Sequence, residues 1–375
     1  MKWPIVKLGD VCTFTSGGTP SKDIVDFWRG EIPWISSADI VNDVIQKPRH
    51  YLSNSALNSS STNLVPPGTL LAVTRTGVGK VAITDFDLCF SQDITALHLD
   101  ANCYPKYIAY ALKVLSSSLI AQARGATIKG ITRTVLASLR IPLPPLAEQK
   151  RIAAILDKAE EIRRKREEAV EKLDQLAQSV FLEITKREQC KKIRLKDLVK
   201  KKKLDKPNHR LVWSLSLEDI ERNIGEVNQK TYVEWHSIGT STFYFEQPVV
   251  LYSKLRPNLN KVVIPDENGC ATTELVPLYC DESLIRPSFL ASYLRTTEFV
   301  AFATTNSAGA KMPRVIMEKF WEHEVAVPSM ATQLVYEEIY YALRREKKLF
   351  KTALSQASKL FSASQHQAFT TGFDT

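Results

Sequence analysis

Two long stretches of the chain contain no proline and carry apolar residues at helical spacing. In the first, Ile152, Ala159, Leu173 and Val180 recur by sevens, and so do Leu156, Val170, Ala177 and Ile184. Arg166 and Arg163 occupy the missing places of the two rows. Paired seven-residue rows predict a coiled-coil seam, here interrupted near its middle. The pairs Glu160–Arg164, Glu161–Lys165 and Glu168–Lys172 add i,i+4 support on the outer face. Pro144 and Pro145 suit an N-terminal edge, where a missing N–H costs nothing. A helix over Leu146–Ile184 would be about 58 Å long at ~1.5 Å per residue. The second stretch, Met330 to about Phe369, carries Leu334, Ile339, Leu343, Phe350, Leu354, Ala357 and Phe361. Ser329 is its expected N-cap.

The remaining chain alternates short β-branched runs with turn residues, as in "TLLAVTRTGVGKVAIT" and "PVVLYSKLRPNLNKVVIP". Two helical segments, "YPKYIAYALK" and "RPSFLASYLR", occupy comparable places. The chain also repeats itself. "VKLGDVC" at Val6 returns as "IRLKDLV" at Ile193, "GKVAIT" at Gly79 as "NKVVIP" at Asn260, "GATI" at Gly125 as "GAKM" at Gly309, and "IPLPPLAEQ" at Ile141 as "VAVPSMATQ" at Val325. Four matches in one order at nearly constant offset indicate a duplicated unit. The expected fold class is α+β, with a pseudo-twofold repeat. The expected domains are 1–145, a spacer helix 146–184, 185–329, and a second helix with tail 330–375. A lone helix of this length cannot bury its stripe. Pairing the two helices antiparallel, with one domain at each end, is the economical solution; packing each helix on its own domain is the alternative.

Composition adds bounds. The chain has 375 residues, 44% hydrophobic and 24% charged, ordinary for a globular protein of two or three domains. The start has no apolar run of signal-peptide length, and no stretch approaches the roughly 18 apolar residues of a membrane helix. The six scattered cysteines form no C-x-x-C pair, which argues for reduced thiols and a cytoplasmic setting. The formal charge is +9, of which a net +8 falls between Thr185 and Lys206. That segment is either a solvated linker or a surface facing nucleic-acid phosphates.

Catalytic signatures are missing. "RTGVGKVAI" has Thr74 where a phosphate-binding loop needs its first glycine and Val81 where it needs Ser or Thr, so a tight turn between strands is the better reading. The six histidines show no metal-ligand spacing. "PPG" at Pro66 is not the Asn/Asp-Pro-Pro-aromatic loop of amino-methylating enzymes, and no G-x-S-x-G elbow is present. Pro265-Asp266 resembles the start of a nuclease carboxylate pattern, but the following Glu346–Lys348 lies in the second long helix. The sequence argues against an enzyme and for two similar domains that read or measure something.

The segments "VKLGDVCTFTSGGTPSK", "GEIPWISSADI", "GVGKVAI" and "IPLPPLAEQKRIAAIL" resemble a specificity (S) subunit of a type I restriction-modification system. "WSLSLEDIERNIGEV" and "LYSKLRPNLNKVVI" are similar to another variety of recognition domain in that family, and "FTTGF" to its closing element. The resemblance implies two globular target recognition domains, each a twisted β-sheet structure with short helices. They are joined and separated by the antiparallel coiled coil, which acts as a ruler. It implies double-stranded DNA as partner and two modification subunits on the repeated helical regions, and leaves room for restriction subunits. It implies no membrane, no catalysis and no cofactor on this chain. S-adenosylmethionine, ATP and Mg are expected on the partners. "TSGGTPSKDIVDFWRGEIPW" has no counterpart after Lys203, so the two half-sites should differ. A scaffold that joins two partners and never reads DNA is the competing class; an enzyme with a diverged site stands third.

Base edges are read by Arg, Lys, Asn, Gln, Ser and Thr, and phosphates are held by Lys, Arg and hydroxyls. The candidates in the first domain are Ser16, Thr19, Ser21, Lys22, Arg75, Thr76, Lys80, Lys129, Thr132 and Arg133. Those in the second are Lys200, Lys201, Lys202, Lys203, Lys254, Arg256, Asn258, Asn260, Lys261, Lys311 and Arg314. Ordinary surface polarity is the alternative for each. Arg75 and Arg256 hold comparable places in the repeat.

Overall fold

The computed structural model describes residues 3–125, 129–186, 188–202, 204, 210–235, 238–239 and 241–370. Two long helices, Leu146–Lys186 and Met330–Thr370, each run for 41 residues. The chain divides into one unit of Met1–Lys165 with Leu354–Thr375 and another of Arg166–Ala353, so each unit holds a part of both helices.

In the first unit the two-residue period of a strand decides the layering. Strand Leu70–Val73 is buried on both faces. Leu70 and Ala72 turn toward a core with helix Pro105–Val114, whereas Leu71 and Val73 turn toward a second sheet. The first sheet runs Cys12–Ser16, Ile94–Leu99, Leu70–Val73, Val81–Ile83, all antiparallel. The second runs His50–Leu52, Ile32–Ile35, Leu88–Phe90, Leu64–Val65, with one parallel pair between Ile32–Ile35 and Leu88–Phe90. A further pair, Ile5–Lys7 with Arg140–Pro142, ties the beginning of this unit to the segment entering the long helix.

The second unit repeats this plan strand for strand. Its first sheet runs Val199–Lys200, Leu275–Cys280, Val250–Ser253, Val262–Val263. Its second runs Thr231–Glu234, Leu211–Leu215, Gly269–Thr272, Thr242–Phe245, again with one parallel pair. Lys191–Arg194 pairs with Glu324–Val327 as Ile5–Lys7 pairs with Arg140–Pro142. The described part of the basic segment is therefore not a linker: Lys186 ends the long helix, Lys191 and Lys192 stand in a strand, and Lys196, Lys200 and Lys202 form ion pairs with Glu322, Asp281 and Glu246.

Within each unit the helix parts run antiparallel. In the first, Tyr107 bonds the Pro142 carbonyl and stacks on Phe369, while Tyr110 bonds Asp157 and meets Phe361. In the second, Arg166 reaches the Ala353 carbonyl, Asp174 pairs with Lys347, and Phe181 meets Tyr336. Arg166, which breaks the apolar row, thus has a main-chain acceptor at 2.5 Å. Glu161 pairs with Lys165 four positions on, but Glu160 pairs with Arg163, three positions on.

The prolines stop the globular part, and a buried glutamine then anchors the helix. Gln149 Oε1 accepts from Tyr104 N at 2.8 Å, and its Nε2 donates to the carbonyls of Asn102 at 2.8 Å and Pro144 at 2.9 Å. Gln333 does the same with Arg286 N, Leu284 O and Pro328 O at 2.8, 3.0 and 3.1 Å. Ser329 Oγ accepts from Thr332 N at 3.4 Å, the bond of an N-cap. Both glutamines are fully buried. Replacing either by Ala would strand one main-chain donor and two acceptors. The expected cost is roughly 3 kcal/mol in urea denaturation of the full chain. Gln→Glu should cost a similar amount, because a carboxylate accepts from the N–H but cannot donate to the two carbonyls.

Candidate nucleic-acid interface

In the first unit the glycine-rich turn after Cys12–Ser16 has a fixed shape. A Cβ on Gly17 would lie 2.2 Å from the Ser91 carbonyl and one on Gly18 2.4 Å from Ser61, so only glycine permits these approaches. Trp34 donates its indole N–H to Gly18 O, and Trp28 donates to Ser21 O, both at 3.0 Å. Thr19 bonds Gln92, and Asn63 caps the Ser16 carbonyl at 2.8 Å. The neighbouring turn is stitched to the same place. Thr74 N and Arg75 N both donate to Asp93 O, Arg75 bridges Gly130, and Gly130 bridges Arg124. Arg133 donates to Ser16 Oγ at 2.5 Å. Ser16, Arg75, Lys129 and Arg133 are thereby gathered on one exposed surface, with Gln92, Asn63 and Arg124 as neighbours that the sequence did not single out.

Other candidates are placed differently. Thr132 accepts from Val135 N and is the N-cap of helix Arg133–Ala137. Ser21 accepts from Asp23 N, Lys22 is exposed, and Thr76 holds a left-handed φ of 48° in the turn. Lys80 turns inward: its Nζ donates to the carbonyls of Ser37 at 3.1 Å and Ile40 at 2.9 Å. Those carbonyls belong to a turn in which Asp39 accepts from both the N–H and the hydroxyl of Ser36.

The second unit builds the same turn, with Asp219 accepting from Ser216, and fills it with Lys261, whose Nζ donates to Leu217 O at 2.6 Å. Burial, then the charge of Arg222, pushes the Lys261 pKa below its ordinary value. Asn260 donates to Arg295 O at 3.0 Å from a left-handed backbone with φ 49°. Asn258 is exposed in the short turn Pro257–Leu259. Lys200 and Lys202 are ion-paired, Lys201 is exposed, and Lys203 lies outside the described residues.

The remaining four candidates of this unit are brought together. Arg256 N donates to Pro313 O at 2.7 Å, its guanidinium reaches Lys311 O at 3.4 Å, and Val315 N donates to Lys254 O at 2.9 Å. Leu255 bridges Arg314, whose guanidinium lies against Glu274. As Arg75 meets Gly130, so Arg256 meets the loop ahead of the last short helix, here Met317–Glu322. Each unit thus presents basic and amide groups from two turns that the scaffold locks together. Such a surface offers directed donors to phosphates and base edges. Among the described residues no group of three or more His, Cys, Asp and Glu is arranged to hold a metal ion, and no helix is long and apolar enough to cross a membrane.

Comparison with known proteins shows what the chain is similar to. Residues 1–172 match the family described as type I restriction modification DNA specificity domain. The chain is 34% identical over 158 residues to the EcoR124I/EcoR124II type I restriction enzyme specificity subunit of Escherichia coli, covering 40% of this chain and 39% of that protein. It is 27% identical over 184 residues to the MjaIX specificity subunit of Methanocaldococcus jannaschii, covering 48% and 43%. The aligned stretches span less than half the length of these curated relatives. A type I restriction-modification S subunit from M. genitalium shares the fold over 98% of this chain and 96% of its own, with a TM-score of 0.60 at 17% identity. A chain from a structure of type I R-M complex assembly does so over 99% and 98%, at 0.58 and 16%.

Lys80→Met and Lys261→Met should each lower stability by about 1 kcal/mol in denaturant titration, through the lost bonds to main-chain carbonyls.

Proposed function

We propose that this chain belongs to the type I restriction-modification specificity family, whose DNA specificity domain residues 1–172 match, and that it recognises a split, asymmetric DNA sequence and directs adenine methylation to it through partner modification subunits. One observation carries the reading. The same two four-stranded sheets are built twice, while the exposed polar groups gathered around a shared arginine, Arg75 or Arg256, differ: Ser16 and Arg133 in one unit, Lys254 and Arg314 in the other. A protein that reads one half-site with each unit needs this combination of a common frame and unlike contacts.

The long helices then serve as spacers. At ~1.5 Å per residue a 41-residue helix is about 61 Å long, more than one DNA turn of about 34 Å. The methyl donor, and the nucleotide and Mg for any restriction step, belong to the partner subunits. This chain's own residues supply recognition only.

Co-expression with its modification subunit, followed by sequencing that detects modified adenines, should reveal one split motif with two unlike halves. Stoichiometric binding of the modification subunit without any motif would leave a scaffold that does not read DNA. Inserting seven residues into each long helix should lengthen the unread gap in the motif while both halves stay the same; an unchanged gap would remove the spacer role.

A further inference from the structure

The contact between Arg314 and Glu274 goes further than a basic patch. Arg314 Nε lies 3.1 Å from each carboxylate oxygen of Glu274, and Nη2 lies 2.8 Å from Oε1. The carboxylate therefore occupies the side edge of the guanidinium, formed by Nε and Nη2. Among the described residues nothing bonds Nη1, so the end edge, formed by Nη1 and the second hydrogen of Nη2, remains available. The Arg314 side chain is 46% exposed and that of Glu274 24%.

Both partners stand on fixed backbone. Arg314 begins strand Arg314–Val315, paired with Ser307–Ala308, and bridges Leu255. Glu274 sits in the turn between Gly269–Thr272 and Leu275–Cys280, where its carbonyl accepts from Lys254 N at 3.0 Å. The guanidinium plane is thus set before any ligand arrives, which reduces the ordering cost of binding.

Charge decides what such a group prefers. An arginine paired with a carboxylate is formally neutral and offers little pull on a phosphate, whose affinity is mainly electrostatic. Two parallel donors on its end edge remain, and they match the N7 and O6 acceptors of guanine in the major groove. We propose that Arg314 reads a guanine in the half-site of the second unit and that Glu274 is its positioning residue. This assignment rests on the DNA-reading function proposed above.

The test is selection from a pool of randomised duplexes by the full chain in complex with its modification subunit, comparing wild type with R314K and E274Q. Wild type should select a motif with a guanine at one position of the second half-site. R314K should lose discrimination at that position by about tenfold while the others persist. E274Q leaves the arginine charged but loosely aimed. Selectivity at the same position should fall while affinity for duplexes of unrelated sequence rises, a divergence that a merely structural role of Glu274 would not produce. Thermal melting of each variant records whether it folds, and E274Q carries the test if R314K does not. The assignment is overturned if R314K leaves every position unchanged, or weakens all of them together, as loss of a phosphate contact would. A wild-type complex that selects no sequence removes both this assignment and the function it rests on.

Discussion

Gln149 and Gln333 join the two kinds of structure in this chain. Each amide satisfies one N–H and two carbonyls where a proline-stopped strand gives way to a long helix. A helix start leaves main-chain donors without partners, and a buried orphan costs about 1–3 kcal/mol. A side chain with one acceptor and two donors at this position settles the local accounts and fixes the helix on the loop ahead of the short helix, Pro105–Val114 or Pro287–Leu294. The aromatic contacts of Tyr107 and Tyr110, or of Phe181 and Phe289, follow from that placement.

The sheets convert this anchorage into a presented surface. Strands buried on both faces, such as Leu70–Val73 and Val250–Ser253, cannot tilt without disturbing two cores at once. Their ends project Arg75 and Arg256 from a frame with little freedom. Side chains on such a frame lose less entropy when they meet a ligand than the same residues on a free loop would.

The long helices were legible because seven-residue rows extend over many turns, and the repeat because four matches keep their order. Local charge was a poorer guide. Lys80 and Lys261 look like phosphate ligands in a turn, yet both bond main-chain carbonyls. The sequence did hold a signal: "SSADI" at Ser36 returns as "SLEDI" at Ser216, and both lysines lie in repeated segments. Both lysines, and the turns they fill, recur in the two units as parts of a common frame. Glu274 could not be found in this way, because its partner Arg314 lies 40 positions along the chain and only the fold brings them together. The ion pairs of the basic run were hidden in the same way: the carboxylates that pair with Lys196, Lys200 and Lys202 end a helix or follow strands far along the chain.

The division of the chain bears on its synthesis. The second unit is one continuous segment, Arg166–Ala353, whereas the first draws on both Met1–Lys165 and Leu354–Thr375. On the ribosome the unit whose synthesis starts earlier of the two is therefore completed later. Tyr107 and Tyr110 must wait, with an apolar face uncovered, until Phe361 and Phe369 emerge. The first unit therefore closes only after the whole of the second, Arg166–Ala353, has been made.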